Sequence, residues 1–147
     1  MAKLSRAELP AFAHTVAGLV RARAPEAEGR AFRVYLSGDL GSGKTTFMQA
    51  FARELGIAES VKSSTFVLMK NYPLQFGNFL YLAHIDAYRL QSAEEFESLQ
   101  PKTFLNDPHA LVCIEWPEQV GGALPKPDIY LKFTAGEERD VRDIEIF

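Results

Sequence analysis

Leu9, Phe12, Val16, Leu19 and Val20 fall at helical spacing, the pattern of a helix with one apolar face. Ser5 stands before that run as an N-cap with Glu8 at the capping-box position, and Pro10 falls in or near the first turn, where proline is tolerated. A turn region from Ala24 to Arg30 follows, and then FRVYLS, a short β-branched and aromatic run that predicts a strand. A second helical segment runs from about Lys44 to Leu55 and ends at Gly56. SSTFVLMKNYPL and FLYLAHIDAYRL predict two strands joined by a turn around Gly77 and Asn78. SAEEFESL predicts a short helix with Ser92 as N-cap and Glu95 in the capping-box position, and LQPKTFLNDPHA is irregular or partly helical. ALVCIEW, continuously apolar up to its carboxylate, predicts a buried strand. PEQVGGALPKPD reads as a loop with one helical turn, and DIYLKFTAG and RDVRDIEIF as a terminal hairpin around Gly136 and Glu137.

The order α, β, loop, α, β, β, α, β, β, β is that of an α/β protein. The strand–loop–helix unit demands a crossover and the hairpins bring antiparallel pairs, so the sheet is mixed, parallel and antiparallel, with helices flanking it. The 147 residues suit one domain spanning the chain. A hydrophobic fraction of 47% supports a core, and a net charge of −3 argues against a stand-alone nucleic-acid binder. Cys113, the lone cysteine, lies inside an apolar run and reads as a small core residue. No run approaches the ~20 apolar residues of a membrane span, and the first residues lack a signal peptide's apolar core; the expectation is a cytoplasmic protein with no membrane partner.

Between the first strand and the second helix lies GDLGSGKTT: Gly38, Asp39, Leu40, Gly41, Ser42, Gly43, Lys44, Thr45 and Thr46. Gly38, Gly43, Lys44 and Thr45 fill every fixed place of G-x-x-x-x-G-K-[ST], with strand before and helix after. Glycines let backbone N–H groups wrap close to anionic oxygens. The helix start adds unpaired donors and a partial positive charge. Lys44 supplies a full charge to the β- and γ-phosphates, and the Thr45 hydroxyl suits Mg²⁺, a hard ion. The loop is therefore expected to hold a nucleoside triphosphate.

Such a site needs a carboxylate near the metal, at the end of a buried strand. Asp86 and Glu115 both end apolar runs. Glu115 could also be a solvated strand end, and Asp86 an N-cap in the turn or a partner of Arg89. Thr65 lies twenty residues after Thr45, a spacing like that of a γ-phosphate-sensing switch threonine; a polar strand start is the plainer account. His84 shares a strand face with Asp86 and reads as a neutral, satisfied histidine rather than a metal ligand. Trp116 either covers the core edge or lies against a nucleotide or partner.

The D-x-x-G and N-K-x-D signatures of Ras-like GTPases are missing, and the arginines are too scattered for the lid of a small-molecule kinase. GDLGSGKTT, SSTF, HIDAYRL and IEWPE, in this order and at these intervals, resemble the TsaE (YjeE) family. The likeness runs from about Leu4 to Asp128, most of the chain. It implies a P-loop NTPase fold in which residues Gly38 to Thr46 bind ATP phosphates. Thr45 and Glu115 would hold Mg²⁺, Asp86 would be a second acidic group near the γ-phosphate or the attacking water, Thr65 would lie in a switch-like segment, and Trp116 would lie beside the site. Lys44, Asp86 and Glu115 are then the expected catalytic residues. The resemblance also implies the TsaB–TsaD complex as partner, with tRNA met only through it. ATP hydrolysis, weak alone, would support threonylcarbamoyladenosine (t6A) formation at position 37 of tRNA without performing the transfer. One position departs from the family pattern S-P-T-[FY]: Ser64 replaces the proline that would restrict the backbone there. The rival readings are a small-molecule kinase and a nucleotide-gated docking module.

Overall fold

The computed structural model describes residues 2–39, 42–59, 61, 68–135 and 141–147. The expectations for Leu40, Gly41, Ser64 and Thr65, and for the turn at Gly136 and Glu137, lie outside these residues. The strands are β1 (Ala2–Ser5), β2 (Phe32–Ser37), β3 (Met69–Phe76), β4 (Phe79–Asp86), β5 (Ala110–Glu115), β6 (Ile129–Ala135) and β7 (Val141–Ile146). The helices are α1 (Leu9–Arg23), α2 (Lys44–Glu54), α3 (Ala93–Glu97) and α4 (Pro101–Leu105). All strands join one sheet in the order β1-β7-β6-β2-β5-β4-β3. Its centre, β6-β2-β5-β4, is parallel. The outer pairs β1–β7, β6–β7 and β3–β4 are antiparallel. This is the mixed sheet of a P-loop α/β fold.

The hydrophobic pattern explains the placement. Every residue of β2 and β5 is buried, as expected of parallel strands covered on both faces. β3 alternates buried and exposed positions and carries Pro73, which an edge strand tolerates. On one face, α1 and α2 pack Leu9, Val16, Phe47 and Phe51 onto Val34, Leu36, Cys113 and Leu131. On the other, Phe96 and Phe104 cover Tyr35, Ile85, Val112 and Ile114. The register aligns Leu36 with Glu115 and Asp86 with Glu115. By alternation, His84, Asp86 and Glu115 therefore share the α2 face of the sheet.

Local signals end the elements where side chains satisfy backbone groups. Glu8 Oε1 accepts from the Ser5 N–H at 3.0 Å and the Ser5 hydroxyl at 2.9 Å, but Ser5 ends β1 instead of capping the helix: a 3₁₀ turn intervenes and α1 begins after Glu8 with no side-chain cap. Ser92 Oγ accepts from the Glu95 N–H at 3.3 Å and caps α3. α2 closes through Gly56 N–H to Arg53 O and Ile57 N–H to Ala52 O, a Schellman pattern. Two further expectations change. The strand expected to reach Leu90 stops at Asp86, because Asp86 Oδ1 accepts from the Tyr88 N–H at 3.1 Å and turns the chain. A strand not foreseen, β1, pairs with β7 at one edge; four residues are too few for a periodic signal.

Candidate functional site

The loop after β2 leaves the carboxyl end of the parallel strands, where open α/β sheets bind ligands. Asp86 and Glu115 are the last residues of β4 and β5, so both carboxylates stand at that same edge. Gly38 has φ +139°, and a Cβ there would lie 2.4 Å from the Phe133 carbonyl oxygen and 2.9 Å from Ser42 Oγ. The loop thus leaves β2 in contact with the β6 backbone, an approach open only to glycine. Gly43, at φ +103°, turns the chain into α2. The Ser42 N–H donates to Asp39 O at 3.1 Å.

Lys44 opens α2 with its side chain 5% exposed. Its ammonium donates to the Gly38 carbonyl and sits 3.6 Å from the centroid of the Trp116 ring. Burial draws the Lys44 pKa below the ordinary lysine value, against the opposing pull of Glu115, Glu118, Asp86 and Asp39. Trp116 is held by its N–H to Leu36 O at 3.0 Å, in a left-handed conformation at φ 61°. Tyr88 packs on it with ring centroids 5.0 Å apart. Neighbouring turns are tied together by the Ala87 N–H to Glu115 O at 3.0 Å.

Glu115 is buried, which excludes the solvated strand end. Its Oε2 lies 2.6 Å from His84 Nε2, itself 5% exposed. Asp86 serves the turn, as one reading held, while half-buried at the same edge. Thr45 and Thr46 are half-buried in the first turn of α2, Asp39 is exposed, and Arg89 is exposed in the turn after β4. The structure therefore gathers Gly38, Asp39, Ser42, Gly43, Lys44, Thr45, Thr46, Asp86, Glu115 and Trp116 around one strand edge. The residue pattern did not reveal the His84–Glu115 contact, the Lys44–Trp116 stack or the approach of Gly38 to Phe133. Period-two alternation put His84 on the right face but could not name its partner on another strand.

The fold and this loop define a P-loop nucleotide-binding protein of the α/β class. The model of the family described as "Threonylcarbamoyl adenosine biosynthesis protein TsaE" matches residues 4–144. The chain belongs to the TsaE family. It is 37% identical over 117 residues to the tRNA threonylcarbamoyladenosine biosynthesis protein TsaE of Haemophilus influenzae, covering 80% of this chain and 70% of that protein. It is 40% identical over 95 residues to the protein of the same name from Borreliella burgdorferi, covering 65% of this chain and 66% of that one. The matches thus span about two thirds of those relatives' own length. The crystal structure of Bacillus subtilis YdiB superposes with a TM-score of 0.61 at 26% identity, over 97% of this chain and 82% of that chain. Among the described residues, no helix is long and apolar enough to cross a membrane.

Proposed function

We propose that this protein is a cytoplasmic Mg²⁺-dependent ATPase of t6A synthesis, acting with TsaB–TsaD on a tRNA that it meets only through that complex, and leaving the threonylcarbamoyl transfer to its partners. The observation that carries this reading is the convergence of the buried Lys44, Glu115 and half-buried Asp86 on the strand edge where the glycine loop enters α2.

The residues present fit ATP with Mg²⁺. Ser42 Oγ is buried without a hydrogen-bond partner, an orphan polar atom in a loop suited to phosphate oxygens. The unpaired N–H groups of the first turn of α2 and the Lys44 ammonium supply the complementary positive field. Thr45 and Glu115 are the oxygen donors for the metal, which is usually held by one or two carboxylates together with substrate phosphates. When bound, Mg²⁺ neutralises charge on the β- and γ-oxygens. With ATP bound, the Lys44 ammonium, held here by the Gly38 carbonyl and the Trp116 ring, would exchange a neutral acceptor for anionic phosphate oxygens. Asp86 is the second acidic group, for the γ-phosphate or the attacking water. Low activity alone follows if a partner completes the transition-state environment.

Phosphate release measured with and without TsaB–TsaD tests this. The expected result is slow release alone, stimulation by the complex, and loss of both in Lys44→Ala. Fast turnover unaffected by TsaB–TsaD, or label from the γ-phosphate appearing on an organic acceptor, would refute it.

A further inference from the structure

We infer that His84 is a positioning residue for the site: it holds one oxygen of Glu115 from the core side and so dedicates the other to the metal. The inference rests on the reading of Glu115 as a metal-facing carboxylate.

Glu115 pairs in register with Asp86, while His84 pairs with Cys113 two residues earlier. His84 thus sits below the strand end by two residues, ~6.6 Å of strand rise, and reaches Glu115 diagonally from the interior. The 2.6 Å contact engages Oε2 through Nε2. With Oε2 held there, Oε1 is the oxygen left for a ligand at the loop side.

A purely structural account fits poorly. The side chains are 5% and 3% exposed. Burying such a pair costs desolvation that an apolar pair of similar volume avoids. Below this level the same face is apolar, with Leu82, Leu111 and Cys113 fully buried. On this face of β4 and β5, the buried polar residues His84 and Glu115 lie at the end that approaches the glycine loop. Carboxylate–histidine contacts behind a metal ligand fix its orientation, and their removal typically weakens metal affinity or activity by about 10- to 100-fold.

The test uses the full chain with a non-hydrolysable ATP analogue and Mn²⁺ as the probe, metal binding being read by electron paramagnetic resonance. Analogue affinity in the presence of a chelator is measured separately, and thermal unfolding reports the fold. His84→Gln can place an amide N–H near the Nε2 position; His84→Asn is one methylene shorter. The expected outcome is Mn²⁺ affinity weakened about tenfold or more in His84→Asn and largely rescued in His84→Gln, with chelator-condition affinity unchanged in both. Should His84→Asn fail to fold, His84→Met, close to glutamine in volume, takes its place in the comparison. Wild-type Mn²⁺ affinity in His84→Asn, or equal loss in the asparagine and glutamine variants, overturns the inference. Glu115→Gln separates the two levels. If it binds Mn²⁺ as tightly as wild type, the metal role of Glu115 fails and the role of His84 with it. If it loses Mn²⁺ while His84→Asn keeps it, the role of His84 alone is refuted.

Discussion

Replacing Gly38 with alanine isolates the cost of the loop's closest approach to the sheet. The new methyl group would sit 2.4 Å from the Phe133 carbonyl oxygen and 2.9 Å from Phe133 Cβ and Ser42 Oγ. The nearest of these atoms is backbone of β6, so no rotamer change relieves the clash. Overpacking of this kind costs ~1–3 kcal/mol, and the left-handed φ of +139° adds ~1–2 kcal/mol for a residue with a Cβ. Alanine restricts the unfolded chain and returns ~0.4–1 kcal/mol. The net destabilisation is therefore about 1–5 kcal/mol, or a fall in Tm of roughly 2–20 °C for a chain of this size. Gly77 provides the internal control. It also has a positive φ, +58°, but nothing lies within 4 Å of a Cβ there. Gly77→Ala should cost only about 0–1.5 kcal/mol, the conformational part alone. Urea and thermal unfolding of both variants, monitored by circular dichroism, measure the difference. Equal stability losses in the two variants would refute the argument that contact with β6, rather than φ, makes Gly38 obligatory.

Other consequences follow from particular contacts. Trp116 is the only tryptophan and carries the Lys44 ammonium over its ring, so Lys44→Met should change its fluorescence before any nucleotide is added; an unchanged spectrum would contradict the stack. Phe47→Ala removes a fully buried ring that packs on Phe12, Phe51 and Phe133; unfolding should show a loss of ~3–5 kcal/mol. Asp128 takes two hydrogen bonds from Arg30, at 2.7 and 2.8 Å, and one from the Arg33 N–H at 2.9 Å. Burial alone would raise its pKa, but these donors outweigh burial and hold it below the ordinary value of 3.8. A carboxylate depressed in the folded state stabilises above its unfolded pKa, and that stability is lost as pH falls through the folded value. Asp128→Asn should therefore destabilise at neutral pH and reduce the acid-induced loss below about pH 4, measured as Tm against pH.

Local chemistry was readable from the chain itself. The glycine loop with Lys44 and Thr45, the Ser5–Glu8 contact, the Ser92 cap of α3, the stop at Gly56 and the hairpin turn at Gly77 each depend on residues within a few positions of one another. The continuous apolar runs of β2 and β5 likewise marked central strands, because both faces are covered. What depended on distant pairing was not readable. The edge strand β1 exists only because β7 offers it a partner. His84 meets Glu115, Lys44 meets Trp116 and Gly38 meets Phe133 through strand order and register. Periodicity assigns a side chain to a face; it does not say which strand lies beside it, because that choice is made by burying both faces of the whole sheet at once.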